Sequence, residues 1–410
     1  MCTRILNNLN RQFAVVGRNM DWARPLNCHL YRMPRGERRA GLTPAQRTLS
    51  QANLQQVSPD LVLKSRQVLK WRAKYASIVS MLGDRQLGYA SVDGINDQGL
   101  TVCALFDSDA SFAPVTPASR DCLGALCWPQ HLLDRFANVA EAVAYYDTTP
   151  PCIIAQWVPE AVSPELARSA MIHLAISDRE GNSAIIELCG GKFVIHQSSS
   201  YRVVTNQPNY QTQLKLLYYW EYQWGLTDPQ NLKPSYTVPG GVASTQNLER
   251  GAYYVSLAEP APDRSQAVAQ TRGMIATCAE PLWFNRKAHD AVHSASSFTR
   301  WTNLADAHGA VESYRQQGEV DWGDDAQGAA PAAYYLLNAA TPAPVWLNFA
   351  NLSAQCQRVA LIIVERCGQS LDRALAGDLQ AQLQDCDEPY PCDPPTVGER
   401  ADVAASVALD

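Results

Sequence analysis

The chain is short of several things, and each shortage removes a class of function. Charged residues make up only 18% of its 410 positions, the net charge is −6 and no basic run stands out, so nucleic acid is not expected as a partner. No apolar run is long enough to span a bilayer, so no membrane partner is expected either. The N-terminus lacks a basic start followed by an apolar core, the pattern of a secretory leader. There is no P-loop, no dinucleotide fingerprint and no Gly-x-Ser-x-Gly elbow. His289 and His293 share a helical spacing, but no carboxylate joins them in a zincin pattern. Neither a metal nor a cofactor is expected. Twelve cysteines are present without a Cys-x-x-Cys pair. Cys122 and Cys127 read as free buried thiols. Cys386 and Cys392, in an Asp- and Pro-rich stretch, are the best disulfide candidate if the compartment is oxidising.

What is present supports a large core. Hydrophobic residues reach 46%, enough for one large domain or two ordinary ones. Asn7 to Asn10 is a turn signal, and it predicts a hairpin between residues 2–6 and the strand Phe13–Gly17. Residues 34–68 read as an insertion, with a short polar helix from Thr43 to Gln55 and the potential to form a lid. Strands are expected over 75–92, 101–106, 173–178, 183–188, 193–196, 201–206, 334–337 and 344–349. Helical spacing marks 128–146, 262–277, the end of a helix at 311–315, and 355–382. The short turn Arg179 to Asn182 implies antiparallel pairing. These elements predict an α+β layered architecture, with the tail after 386 polar and loose.

Cys2 carries the chemistry. Removal of Met1 would leave a thiol and a free α-amine on one residue. The amine, with a pKa of roughly 7.7–8.0, suits a general base near neutral pH. Arg18 and Asp21 follow in Gly17-Arg18-Asn19-Met20-Asp21-Trp22. A thiol, an amine, a cation and a carboxylate at this spacing suggest an N-terminal-nucleophile amide hydrolase.

Six blocks in order carry a resemblance: Met1-Cys2-Thr3-Arg4, Gly17 to Trp22, Asp93-Gly94-Ile95-Asn96-Asp97-Gln98-Gly99-Leu100, His173 to Asp178 with Gly181 and Glu187, Val203 to Pro208, and Arg300 to Asp306. Over roughly residues 2–350 the chain resembles the choloylglycine hydrolase and penicillin V acylase family of linear-amide hydrolases. The resemblance implies a four-layer αββα sandwich of two antiparallel sheets over residues 2–355, followed by a helical C-terminal extension and an acidic tail over 356–410. It implies a homotetramer and a small-molecule amide substrate, such as penicillin V, a conjugated bile salt or an N-acyl homoserine lactone. Carried over residue by residue, it implies Cys2 as nucleophile, Arg18 favouring the thiolate, Asp21 holding the α-amine and Asn206 binding the oxyanion. Two positions depart from the pattern. Phe106 stands where many members place Asn or Tyr, and Asn247 stands where members carry an arginine, leaving Arg250 as the nearest substitute. Trp22, Phe106 and Asn247 are the expected substrate contacts. The competing reading is an inactive scaffold of the same fold, which a retained Met1 would favour. Taken as its native start, Met1-Cys2 implies a cytoplasmic protein. If Met1 replaces a removed leader, the protein is periplasmic.

Overall fold

The computed structural model describes residues 2–24, 26–42, 64–160, 168–228, 230, 233–282, 297–316, 330–339, 341, 343–361 and 375–392. The chain opens with β1 (Thr3–Asn7), β2 (Val15–Trp22), β3 (Cys28–Met33) and β4 (Arg38–Ala40). Then come β5 (Lys70–Arg72), β6 (Ser77–Asp84), β7 (Gly88–Asn96), β8 (Thr101–Phe106) and β9 (Cys122–Gly124). Helices α1 (Trp128–Arg135) and α2 (Val139–Thr148) follow, then β10 (Cys152–Ile154), β11 (Ile172–Ser177), β12 (Ser183–Cys189), β13 (Lys192–Gln197) and β14 (Val203–Thr205). Three helices, α3 (Tyr210–Gln223), α4 (Ser244–Leu257) and α5 (Arg264–Ala276), precede β15 (Phe298–Asp306) and α6 (Ala307–Arg315). The last strands are β16 (Tyr334–Asn338), β17 (Val345–Leu347), β18 (Gln357–Val359), β19 (Gly377–Asp378) and β20 (Gln384–Asp385).

Two largely antiparallel sheets result. One runs β14-β1-β2-β15-β16-β17-β19, the other β13-β12-β11-β8-β7-β6-β3-β18-β20. Helices α4 and α5 cover the first sheet, with α3 packed on α4, and α1 and α2 cover the second. This is the αββα sandwich. The main core lies between the inner faces and includes Cys2, Leu6, Val16, Met20, Val79, Ile95, Val102 and Ile176. A second cluster, with Ile5, Leu248, Val255 and Ile275, seals the first sheet to its helices.

Period-two alternation sorts β1 and β2 between these two clusters. Cys2, Leu6, Val16 and Met20 point inward. Ile5 faces the helices, and so does Asn19, whose side chain donates to the Ile275 carbonyl at 2.9 Å. Gly17 allows that layer its close approach: a Cβ there would sit 3.1 Å from both Ile275 and Thr271.

The hairpin expected at the N-terminus is present, with Thr3 opposite Asn19 and Asn7 opposite Val15. The expected helix over 128–146 is two helices, because Asn138 caps a new one by accepting from the Glu141 N–H. The stretch 355–382 departs further from expectation. Residues 362–374 lie outside the described residues; the rest form the short strands β18 and β19 and a 3-10 turn at Gln380–Gln382, and β18 pairs with β3 inside the second sheet. Segments too short to show a period leave no signal to separate strand from helix. The polar helix expected over 43–55 and the pair His289 and His293 lie outside the described residues.

Gly94 on β7, next to Asp93, has no room for a side chain. A Cβ there would meet the Ile78 carbonyl at 2.7 Å and the Leu133 side chain at 2.8 Å. Gly94→Ala is expected to destabilise the fold by about 1–3 kcal/mol through overpacking, read as a lower urea midpoint at unchanged slope.

Candidate active site

Cys2 sits at the start of β1, 2% exposed, with its side chain between the sheets. Its backbone nitrogen donates to Asn206 Oδ1 at 2.5 Å. Asn206 follows β14, the strand paired to β1 with Thr3 opposite Thr205, so pairing alone carries the amide to the nucleophile. Asn206 Nδ2 donates to the Phe106 carbonyl at 2.6 Å. An amide nitrogen carries two hydrogens, and this bond uses one.

Arg18 reaches inward from β2. Its Nη2 lies 3.4 Å from Cys2 Sγ and donates to the Ala104 carbonyl at 2.7 Å. Its Nη1 pairs with Asp93 Oδ2 at 2.9 Å, both side chains 1% exposed. Burial works against the guanidinium charge, but Asp93 and then Cys2 outweigh it, and the Arg18 pKa is raised. Burial pushes the Asp93 carboxyl up to about 6, against the pull of Arg18. Asp93 is therefore the member of the pair that takes up a proton on mild acidification. Because its folded pKa is raised, its contribution favours the fold at low pH and is lost as pH rises through about 6.

Asp93 was missed as a site residue in the sequence, where it reads as the start of a turn block. The available signal was a lone carboxylate in an apolar strand, since Val92 and Ile95 beside it are core residues. Asp21, by contrast, does not meet Arg18 by alternation along β2. It accepts from Thr299 Oγ1 at 2.6 Å, across the register pair Asp21–Thr299.

Behind Cys2 opens a cavity whose empty space, with the solvent at its mouth, is about 500 Å³. Cys2, Arg18, Met20 and Trp22 wall it from the first sheet. Leu82, Ala90, Val92, Ala104, Phe106 and Ile172 wall it from the second, with Ser91, Leu126, Val158 and Ala170 completing it. The lining is apolar except at Cys2, Arg18 and Ser91. Trp22 and Phe106 meet edge to face at 6.2 Å. Glu160 fixes Trp22, accepting from Nε1 at 2.6 Å while pairing with Arg24 at 2.8 Å. Phe106 thus serves by its ring and by its carbonyl, which any residue at that position supplies.

Arg250 and Asn247 take different places. Arg250 donates to the carbonyls of Thr277 at 2.7 Å and of Pro239 and Gly241 at 2.8 Å, and to Asn247 Oδ1. Asn247 also reaches the Cys278 carbonyl at 3.4 Å. Neither lines the cavity at Cys2. Together they tie the loop before α4 to the end of α5.

Among the described residues one group has the spacing to hold a cation: Asp107, His173 and Glu187, all buried, with ligand atoms within 4.8 Å of one another. His173 Nδ1 faces Asp107 Oδ2 at 3.6 Å. Glu187 accepts from the Tyr210 N–H at 2.7 Å and meets His196 Nε2 at 3.1 Å. These contacts bind β8, β11 and β12 to the start of α3, next to Asn206.

The buried pair sets a double-mutant test. Arg18→Leu leaves Asp93 buried and uncompensated, and a loss of about 3–5 kcal/mol is expected. Adding Asp93→Leu should restore much of it. Urea unfolding of the two single variants and the double variant measures the coupling, and additive losses would show that the pair is not coupled.

Comparison with known proteins places the chain in a family. The family described as linear amide C-N hydrolases, choloylglycine hydrolase family, matches residues 2–306. Penicillin V acylase of Pectobacterium atrosepticum is 30% identical over 263 residues, 63% of this chain and 61% of that relative. The chain therefore matches less than two thirds of that relative's length. Penicillin V acylase from Agrobacterium tumefaciens shares the fold with a TM-score of 0.68 at 22% identity, over 95% of this chain and 99% of the other. Conjugated bile acid hydrolase from Clostridium perfringens shares it at 0.59 and 15%, over 97% and 100%. With the family match extending over most of its length, the chain belongs to the choloylglycine hydrolase family of linear amide C–N hydrolases.

Proposed function

We propose that this chain hydrolyses the amide between an apolar acyl group and a small polar amine, with Cys2 as the nucleophile. The observation that carries the reading is the position of Cys2 Sγ, on the wall of an apolar cavity and 3.4 Å from a buried arginine. Removal of Met1 frees the α-amine, which Asn206 Oδ1 already orients through the Cys2 nitrogen. The amine takes the thiol proton, and the sulfur attacks the amide carbonyl. Arg18 stabilises the negative charge on sulfur inside a low-dielectric space. The second hydrogen of Asn206 Nδ2 binds the oxyanion, a contribution of about 2.7–4 kcal/mol for a well-placed donor. The ammonium then protonates the leaving amine, and water cleaves the thioester. Asp21, held by Thr299, steadies the amine from the helix-facing side of β2. Arg250 acts as a positioning residue for the 239–241 loop. The acyl chain occupies the cavity between the sheets, so penicillin V, a conjugated bile salt and a decanoyl homoserine lactone are the substrates to compare. Among the described residues no helix is long and apolar enough to cross a membrane.

Three outcomes follow for the purified full chain. Intact mass should show Met1 removed, and amine release from one of these amides should fall by more than about 10³-fold in Cys2→Ala. A retained Met1 with no turnover overturns the reading. The pH profile should also carry two protons on its acid side. Protonating the amine lowers kcat/KM first, and the slope should double below about pH 6, where Asp93 takes a proton and Arg18 loses its counter-ion. Asp93→Asn should lose that second slope. Finally, Ala170 is a buried wall residue of the cavity. Ala170→Leu should raise KM for the decanoyl amide by about tenfold, as two or so buried methylenes are displaced, and change KM for a short acyl amide much less.

A further inference from the structure

The residues after β20 run as a strap from the edge of the second sheet to the floor of the cavity. Cys386 N–H donates to the Cys356 carbonyl at 2.9 Å, and Gln357 stands opposite Asp385 in the β18–β20 pair. The two thiols, 30 positions apart in the chain, meet at 3.5 Å. Glu388 then pairs with the buried Arg39 at 3.0 Å. The Tyr390 carbonyl accepts from the Ala40 N–H of β4 at 3.1 Å, and its N–H donates to Glu388 Oε1 at 3.2 Å. The Tyr390 ring is fully buried, and its hydroxyl bonds Ser91 at both N and Oγ, each at 2.9 Å. Ser91 and its neighbours Ala90 and Val92 line the cavity.

We propose that Cys356 and Cys386 are a disulfide-forming pair whose closure fastens this strap, and through Tyr390 the cavity floor, to the second sheet. Adjacent antiparallel strands hold paired residues at a Cα separation that a disulfide spans. The sequence favours Cys386 with Cys392 instead, but Cys392 lies beyond Tyr390, with its N–H on the Arg38 carbonyl at 3.3 Å. Cys386 is half-buried and Cys356 buried, which orders the chemistry. Cys386, the more exposed of the two, supplies the thiolate, and the contact with Cys356 and then Arg358 lower its pKa. With oxidised glutathione as the oxidant, Cys386 sulfur attacks one glutathione sulfur, and one glutathione leaves as its thiol. Cys356 then attacks Cys386 sulfur, and the second glutathione leaves. The protein loses two protons and two electrons, and two glutathione thiols form. Naming the cavity an acyl pocket rests on the proposed function, while the bond and the strap do not.

The full chain is equilibrated with oxidised or reduced glutathione, alkylated in denaturant and digested before aspartates without reduction. Cleavage at Asp387 separates Cys386 from Cys392. A peptide linking Cys356 to Cys386 is expected in the oxidised sample alone. Hydrogen exchange should then slow by about tenfold at 386–391 and at 88–92 in the oxidised protein, and Cys356→Ser should show no difference between the two conditions. Alkylation of both thiols after oxidation, a Cys386–Cys392 peptide, or identical exchange in the two redox states would each overturn the proposal. Absence of amidase activity with the linked peptide present would count against the proposed function alone.

Discussion

A full positive charge enclosed between two sheets governs this molecule. Burying an unpaired ion costs several kcal/mol, so Arg18 has a place only where partners are already fixed. Asp93 comes from β7, the Ala104 carbonyl from β8 and the Cys2 sulfur from β1. Satisfying one guanidinium therefore aligns three strands from both sheets. It also leaves Nη2 turned toward the sulfur. The same packing that stabilises the charge puts it where a thiolate would need it.

A second buried arginine shows that burial alone does not make a site. Arg4, also on β1, points between the sheets and meets Ser183 Oγ at 3.0 Å, the Tyr201 carbonyl at 3.1 Å and the Ser177 hydroxyl. Its bonds go to carbonyls and hydroxyls, and burial lowers its pKa to about 10. Arg4 staples β1 to the hairpin of β11 and β12. Arg18 differs in having a carboxylate behind it and the Cys2 sulfur in front. Its charge is secured from the rear, so its forward face is free to act on sulfur.

The parts of this arrangement that were legible in the sequence are the local ones. The Asn-rich turn and the run Phe13 to Gly17 specify the β1–β2 hairpin, and the hairpin places Arg18 beside Cys2. Asn206 was legible from its block, and strand pairing brings it to the Cys2 nitrogen. What was not legible depends on distant pairing. Asp93 becomes a counter-ion only when β7 is laid opposite β2, and Glu160 becomes the anchor of Trp22 only across 138 positions of chain. Asn247 and Arg250 show the converse: Asn247 stands where the resemblance implies an arginine, and Arg250, the nearest substitute, is drawn off by the carbonyls of a loop. The late strands β18, β19 and β20 are two or three residues each, too short for periodicity to declare them.

Those late strands matter because the two ends of the cavity have separate origins. The end at Cys2 rests on the first twenty-two residues, where hairpin register sets Arg18 beside the sulfur, with Asp93, Ala104 and Asn206 fixing them in place. The floor leans on Tyr390, which reaches Ser91 from the far end of the described chain. A change in the strap can reshape the floor without touching Cys2, Arg18 or Asn206. The shape of the floor and the geometry at Cys2 are then independent variables in this fold. That independence follows from the placement of the cavity between two sheets, each presenting a different part of the chain. One sheet supplies the charge and the sulfur, and the other, braced by the strap, supplies the depth.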